Sequence, residues 1–155
     1  MTKWLVKTEP EECSIDDFAA APEKSIPWDG VRNYQARNFL QQMKPDDRVF
    51  IYHSSCKHIG IAGVVKVVRA AYPDPKQFDE GSPYFDPKRS AEKPRWYAVD
   101  MQYDAKLPSL IPLEQLKTMP ELQELALVKR GNRLSVMPVS EAQWEAIRGT
   151  RKNAQ

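Results

Sequence analysis

Two histidines, two cysteines and six glycines are all that this chain of 155 residues holds of the types on which much local site chemistry depends. Cys13 and Cys56 stand far apart and form no CxxC pair. A disulfide scaffold and a four-ligand zinc site are therefore not expected. Reduced thiols fit an intracellular protein, with a bacterial cytoplasm favoured over a nucleus. The glycines spell neither GxGxxG nor a P-loop, and neither HExxH nor GxSxG occurs. The usual local signatures of enzymes are thus missing, which favours a binding module without cofactor or metal. Charge of one sign is also scarce. The formal balance is +2, too weak to hold duplex DNA mainly through charge. Recognition of one base or a small ligand tolerates that balance better. No apolar run approaches the ~20 residues of a membrane span. The opening MTKWLVKTEPEE holds too short an apolar run for a signal peptide.

What is present suffices for a core. Hydrophobic residues make up 41% of the chain, and a chain this long buries most of its unfolded surface. One domain over residues 1–150 is expected, with a short flexible tail at 151–155. Lys3 to Lys7 reads as a strand ended by Glu9-Pro10. Ser14 caps a short helix to about Ala21, with Asp16 and Asp17 in its first turn. Ile26-Pro27-Trp28 is extended. Tyr34, Phe39, Leu40 and Met43 recur at helical spacing, so a helix covers Asn33 to Met43 and turns those residues inward. Arg48 to His53 and Ile59 to Ala71 are strands rich in β-branched residues, with Gly60 and Gly63 marking a bulge or close contact. Tyr72 to Pro94 reads as a long loop of the kind that often carries function. Strands at Trp96–Tyr103, Leu110–Pro112 and Arg133–Met137 follow. Short helices are expected at Leu113–Lys117, Glu121–Leu127 and, behind Ser140, to Arg148. Uneven strands mixed with short helices indicate an α+β domain with a strongly curved sheet or barrel.

The richest stretch for chemistry is Trp28-Asp-Gly-Val-Arg-Asn-Tyr-Gln-Ala-Arg37. Trp28 offers a face for a flat ring. Asn33 donates and accepts hydrogen bonds, and Arg32 and Arg37 carry planar forks suited to phosphate. Gly30 and Val31 complete this pocket wall. Lys7, Thr8 and Glu9 leave the first strand, where a carboxylate can accept from a base amino group. Tyr52, His53 and Ser54 end a central strand. Tyr72, Asp74 and Tyr84 put aromatics and a carboxylate in the long loop, where they can close over a ligand. His53-Ser-Ser-Cys56-Lys-His58 is the one segment resembling a nucleophilic site, although it reads as a hairpin tip.

Trp4-Leu-Val-Lys-Thr-Glu-Pro10, the Trp28–Arg37 segment, Tyr52-His-Ser54, Gly60-Ile-Ala-Gly63, Tyr72-Pro-Asp74, Trp96 and Arg133-Leu-Ser-Val-Met-Pro138 occur in this order. Together they closely resemble the EVE domain family, from Trp4 to about Ile147. The resemblance implies a PUA-like pseudo-barrel of curved, mostly antiparallel strands with surrounding short helices. It also implies a distant relation to YTH domains, which read a methylated adenine with an aromatic cage. The expected function is a non-enzymatic reader of a modified nucleobase, cytosine or adenine, in DNA or RNA. It would act as a monomer, with nucleic acid as partner and no membrane or metal. Trp28 takes the place of the cage tryptophan. No loop tryptophan supplies the second wall of the cage, so Tyr72, Phe78 or Tyr84 must substitute. Two alternatives stay open: a small hydrolase or transferase using Cys56 or His53, and a general RNA-binding PUA-like module.

Overall fold

The computed structural model describes residues 2–87 and 94–153. Six strands form one sheet: β1 Lys3–Thr8, β2 Ser25–Trp28, β3 Arg48–His53, β4 Gly60–Pro73, β5 Tyr97–Pro112 and β6 Val136–Val139. Their order is β2-β5-β4-β3-β1-β6. All neighbours are antiparallel except β1 and β3, which run parallel from Lys3–Arg48 to Thr8–His53. The α+β expectation of a curved, mostly antiparallel sheet with short helices holds. The sheet stays open, with β2 and β6 as its edges.

The helices are α1 Ile15–Ala20, α2 Tyr34–Gln42, α3 Leu113–Lys117 and α4 Glu141–Asn153. Ser14 caps α1 in a reciprocal box with Asp17, as its position before two aspartates suggests. Ser140 does the same for α4: its hydroxyl accepts from Gln143 N at 3.1 Å and its own N–H meets Gln143 Oε1 at 2.9 Å. α4 continues to Asn153, so Arg151 to Asn153 are helical where a tail was expected. No helix among the described residues is long and apolar enough to cross a membrane.

Several boundaries differ from the sequence reading. The strands expected at Trp96–Tyr103 and Leu110–Pro112 merge into one 16-residue strand, β5, which begins at Tyr97. Its pairing with β4 shifts register repeatedly, and such bulges scramble the alternation that periodicity relies on. The strand expected from Arg133 begins only at Val136. Two 3₁₀ turns, Pro120–Leu122 and Ala126–Val128, replace one short helix. The segment after β4 opens with a further 3₁₀ turn, Pro75–Phe78; residues 88–93 of the expected long loop lie outside the described residues. On α2, Leu40 and Met43 are buried, but Tyr34 is 51% exposed and stacks outside on Trp96, with ring centroids 4.9 Å apart. Its helical spacing is right, but the ring lies one flank away from the core.

The core holds Leu5, Val6, Phe18, Phe50, Ile51, Met101 and Leu116, all fully or almost fully buried. Gly63 lets α1 dock on the sheet. A Cβ there would come within 2.3 Å of the Ile15 side chain and 2.8 Å of the Ala105 carbonyl oxygen. This close approach accounts for a glycine inside an otherwise β-branched strand.

Candidate functional site

Because β1 and β3 are parallel, their C-terminal ends emerge side by side. Ser54 N donates to Thr8 O at 2.8 Å and seals the two ends together. Beside them opens a hollow of about 1070 Å³. Lys7, Thr8, Glu9 and Ser54 line it from the β1–β3 end, and Ile26, Pro27 and Trp28 line it from β2. Three strands separate β1 from β2 in the sheet order, so only the curl of the sheet brings both to one cavity. Gly30, Val31, Arg32 and Tyr84 complete the wall.

Trp28 is 7% exposed and rests on Phe18, with centroids 6.3 Å apart. It is at once core and pocket wall. The chain then turns sharply at Gly30, whose φ is +75°. A Cβ there would sit 2.9 Å from the Tyr84 ring, so strain and space both call for glycine. Gly30 N donates to Asp74 Oδ2 at 2.8 Å, and Arg32 Nη1 donates to the same oxygen at 3.0 Å. Lys76 N donates to Asp74 Oδ1 at 2.8 Å. Asp74 is fully buried and does not line the hollow. It ties the Trp28–Arg32 segment to the segment that carries Tyr84.

This hub changes the roles expected of the arginines. Arg32 Nε and Nη2 donate to Tyr84 O at 3.1 and 2.8 Å, and Nη1 also reaches Val31 O at 3.0 Å. Its guanidinium lies 5.3 Å from the Tyr84 ring and 5.4 Å from the Trp96 ring. With its fork spent on internal acceptors, Arg32 shapes the wall rather than offering a free clamp to phosphate. Arg37 lies outside the hollow, bonded to Asn38 Oδ1 and Arg95 O and packed over Tyr34. Asn33 is also outside. Its Oδ1 accepts from Ala36 N at 2.9 Å, which makes it the N-cap of α2 rather than a reader of a base edge.

The other expected residues divide in the same way. Tyr52 is buried beneath the strand ends, and burial pushes its hydroxyl pKa up. His53 accepts from Ile15 N through Nε2 at 3.2 Å. Burial, with Lys106 nearby, lowers its pKa against the opposing pull of Asp16 and Asp17. It is therefore a neutral acceptor holding the first N–H of α1. Tyr72 donates to Asp100 with Arg69 over its ring; burial and that bond push its pKa up. Neither Tyr52, His53 nor Tyr72 faces the hollow.

Nothing in the chain's local pattern marked Cys13, Lys76 or Ser135 as lining residues, yet all three face the cavity. Burial, with Asp17 and Asp29 close by, raises the Cys13 thiol to about 11, the opposite of an activated thiolate. Lys76 pairs with Asp29 at 3.0 Å, and that bond raises its pKa. Cys56 sits at the hairpin tip with Sγ against His58 O. Among the described residues no group of three or more His, Cys, Asp or Glu side chains is placed to hold a metal ion. What the hollow offers is one mostly buried indole, one half-buried phenol ring, and polar groups converging from a strand end. That combination suits a flat polar ligand.

The family model for the EVE domain matches residues 2–150. Thymocyte nuclear protein 1 of Mus musculus is 42% identical over 161 residues, covering 93% of this chain and 71% of that protein. A crystal structure of a Pseudomonas syringae protein superposes with a TM-score of 0.92 at 48% identity, over 96% of this chain and 99% of that one. The human THYN1 protein, solved in complex with 5-methylcytosine containing DNA, superposes with a TM-score of 0.92 at 38% identity, over 98% of each chain.

Proposed function

The chain belongs to the EVE domain family, and from that premise we infer that it is a non-enzymatic nucleic-acid-binding module that takes a modified base into the hollow beside Trp28 and Tyr84. A relative of the same fold holds 5-methylcytosine DNA, which favours cytosine over adenine and DNA over RNA. The observation that carries the reading is the hollow itself, walled by Trp28 and Tyr84 and edged by Thr8, Glu9 and Ser54. Cytosine presents an amino donor, and the exposed Glu9 carboxylate is suited to accept from it. Thr8 Oγ1 donates to Cys13 O at 2.8 Å, which leaves its lone pairs as acceptors. Tyr84, the more accessible ring, stacks on the base at about 1–3 kcal/mol. A base in duplex must first leave the stack, at about a few kcal/mol. We place this work where DNA is found, which in a bacterium is the cytoplasm.

Competition between oligonucleotides that differ only in one 5-methylcytosine tests the reading. The modified strand is expected to bind more tightly. Tyr84→Ala is expected to weaken it by about 1–3 kcal/mol. That variant keeps the backbone carbonyl on which Arg32 rests, so the Arg32 bonds survive while the ring is lost. Equal affinities for modified and plain strands would leave a general RNA- or DNA-binding module instead.

A further inference from the structure

We propose that Lys7 and Arg133 form an anion seat on the rim of the hollow, which takes the phosphate of the nucleotide whose base is read; this rests on the base-reading function proposed above. Among the described residues four cationic side chains line the hollow: Lys7, Arg32, Lys76 and Arg133. Two of them are already spent. Arg32 is bonded to Asp74, Val31 and Tyr84, and Lys76 is paired with Asp29. The other two are not: among the described residues neither Lys7 nor Arg133 joins an ion pair or donates a side-chain hydrogen bond.

Their backbone segments also lie side by side. Lys7 N donates to Ser135 O at 2.9 Å, which extends the β1–β6 ladder past Val6–Val136 and lays the Arg133–Ser135 segment against the end of β1. Just before β6, the Asn132 side chain accepts from Leu134 N at 2.7 Å and fixes the turn that carries Arg133. Lys7 is partly buried, and that burial lowers its pKa with no carboxylate to offset it. A desolvated ammonium without a counter-charge is costly for the fold. It is repaid when an anion arrives. Phosphate suits it, since lysine binds phosphate as a point charge and arginine as a fork. The acidic residues of the hollow belong mainly to the Glu9–Asp17 segment, and Glu9, two residues past Lys7, brings the base edge it accepts from beside that phosphate.

The test is the salt dependence of binding to a single-stranded DNA carrying one 5-methylcytosine, for the parent and for Lys7→Met with Arg133→Gln. Each lost phosphate contact lowers the slope of log affinity against log salt by about 0.7. The seat holds one phosphate, so the double variant should lose about 0.7 of slope and bind several-fold more weakly at low salt. Its preference for modified over plain strand should stay the same. Lys7→Met alone should leave the thermal midpoint unchanged or higher, because the ammonium has no partner to lose. An unchanged slope in a folded double variant overturns the seat while leaving base reading intact. A reduced slope with no preference for the modified base in the parent overturns base reading while leaving the seat. A parent that binds neither strand overturns both.

Discussion

At the scale of single residues, the shape of the hollow depends on a side chain that does not line it. Asp74 collects Gly30 N, Lys76 N and Arg32 Nη1 on one fully buried carboxylate. That arrangement sets where Trp28 and Tyr84 stand. Two of those partners, Gly30 and Arg32, lie more than forty positions away, and no local pattern announces such a contact. Asn33 shows the converse. An asparagine at a helix start and an asparagine facing a base look alike in sequence, and here the cap takes the side chain. His53 leads to a prediction. Its neutral Nε2 accepts the first N–H of α1, and its folded-state pKa lies below 6.5. Protonation sets a donor against a donor. The stability this contact supplies is complete above about pH 6.5 and is lost as pH falls through the lowered folded-state value. Thermal unfolding from about pH 7.5 to about pH 5.5 should show a falling midpoint. His53→Gln, which carries an acceptor that does not titrate, should flatten that fall. An identical fall in both proteins would assign the pH response elsewhere.

At the scale of elements, what could be read depended on whether neighbours respect the strand's own period. β3 was legible because Val49, Phe50, Ile51 and Tyr52 form an unbroken apolar run that the sheet buries on both faces. β5 was not, since its exposed centre around Lys106 and Pro108 breaks the pattern although the backbone pairs on. The two glycines of β4 gave a correct sign of irregularity: the β4–β5 register shifts between Ile61 and Gly63, and α1 packs against Gly63. Docking of α1 matters for function, because the segment between β1 and α1 forms one rim of the hollow. Gly63→Ala drives a methyl into Ile15 and the Ala105 carbonyl. A loss of about 1–3 kcal/mol is expected in denaturant unfolding. Weaker binding should accompany it as α1 and the Cys13 rim shift. A fully stable variant would mean that α1 docks less tightly than these distances state.

At the scale of the whole molecule, one property organises the rest. The sheet curls without closing, and the cavity is lined from both ends of its strand order: Ile26–Trp28 of β2 from one side, and β1 with the approach to β6 from the other. The sequence showed the strands and many of the wall residues, among them Thr8, Glu9, Trp28, Gly30, Val31, Ser54 and Tyr84. It did not show that Ser135 would bond Lys7 and lay the segment from Arg133 against the end of β1, because that pairing depends on β6 returning to β1 across most of the chain. A net charge of only +2 fits this layout, in which a shaped cavity and a few placed cations replace a broad basic face. The most direct measurement is a crystal structure of the protein with a DNA strand containing 5-methylcytosine. The expected result is the methylated base extruded into the hollow, against Tyr84 and Trp28, with its phosphate at Lys7 and Arg133. A base left in its stack, or bound at the separate cleft between α4 and the sheet beside Trp144, would contradict it.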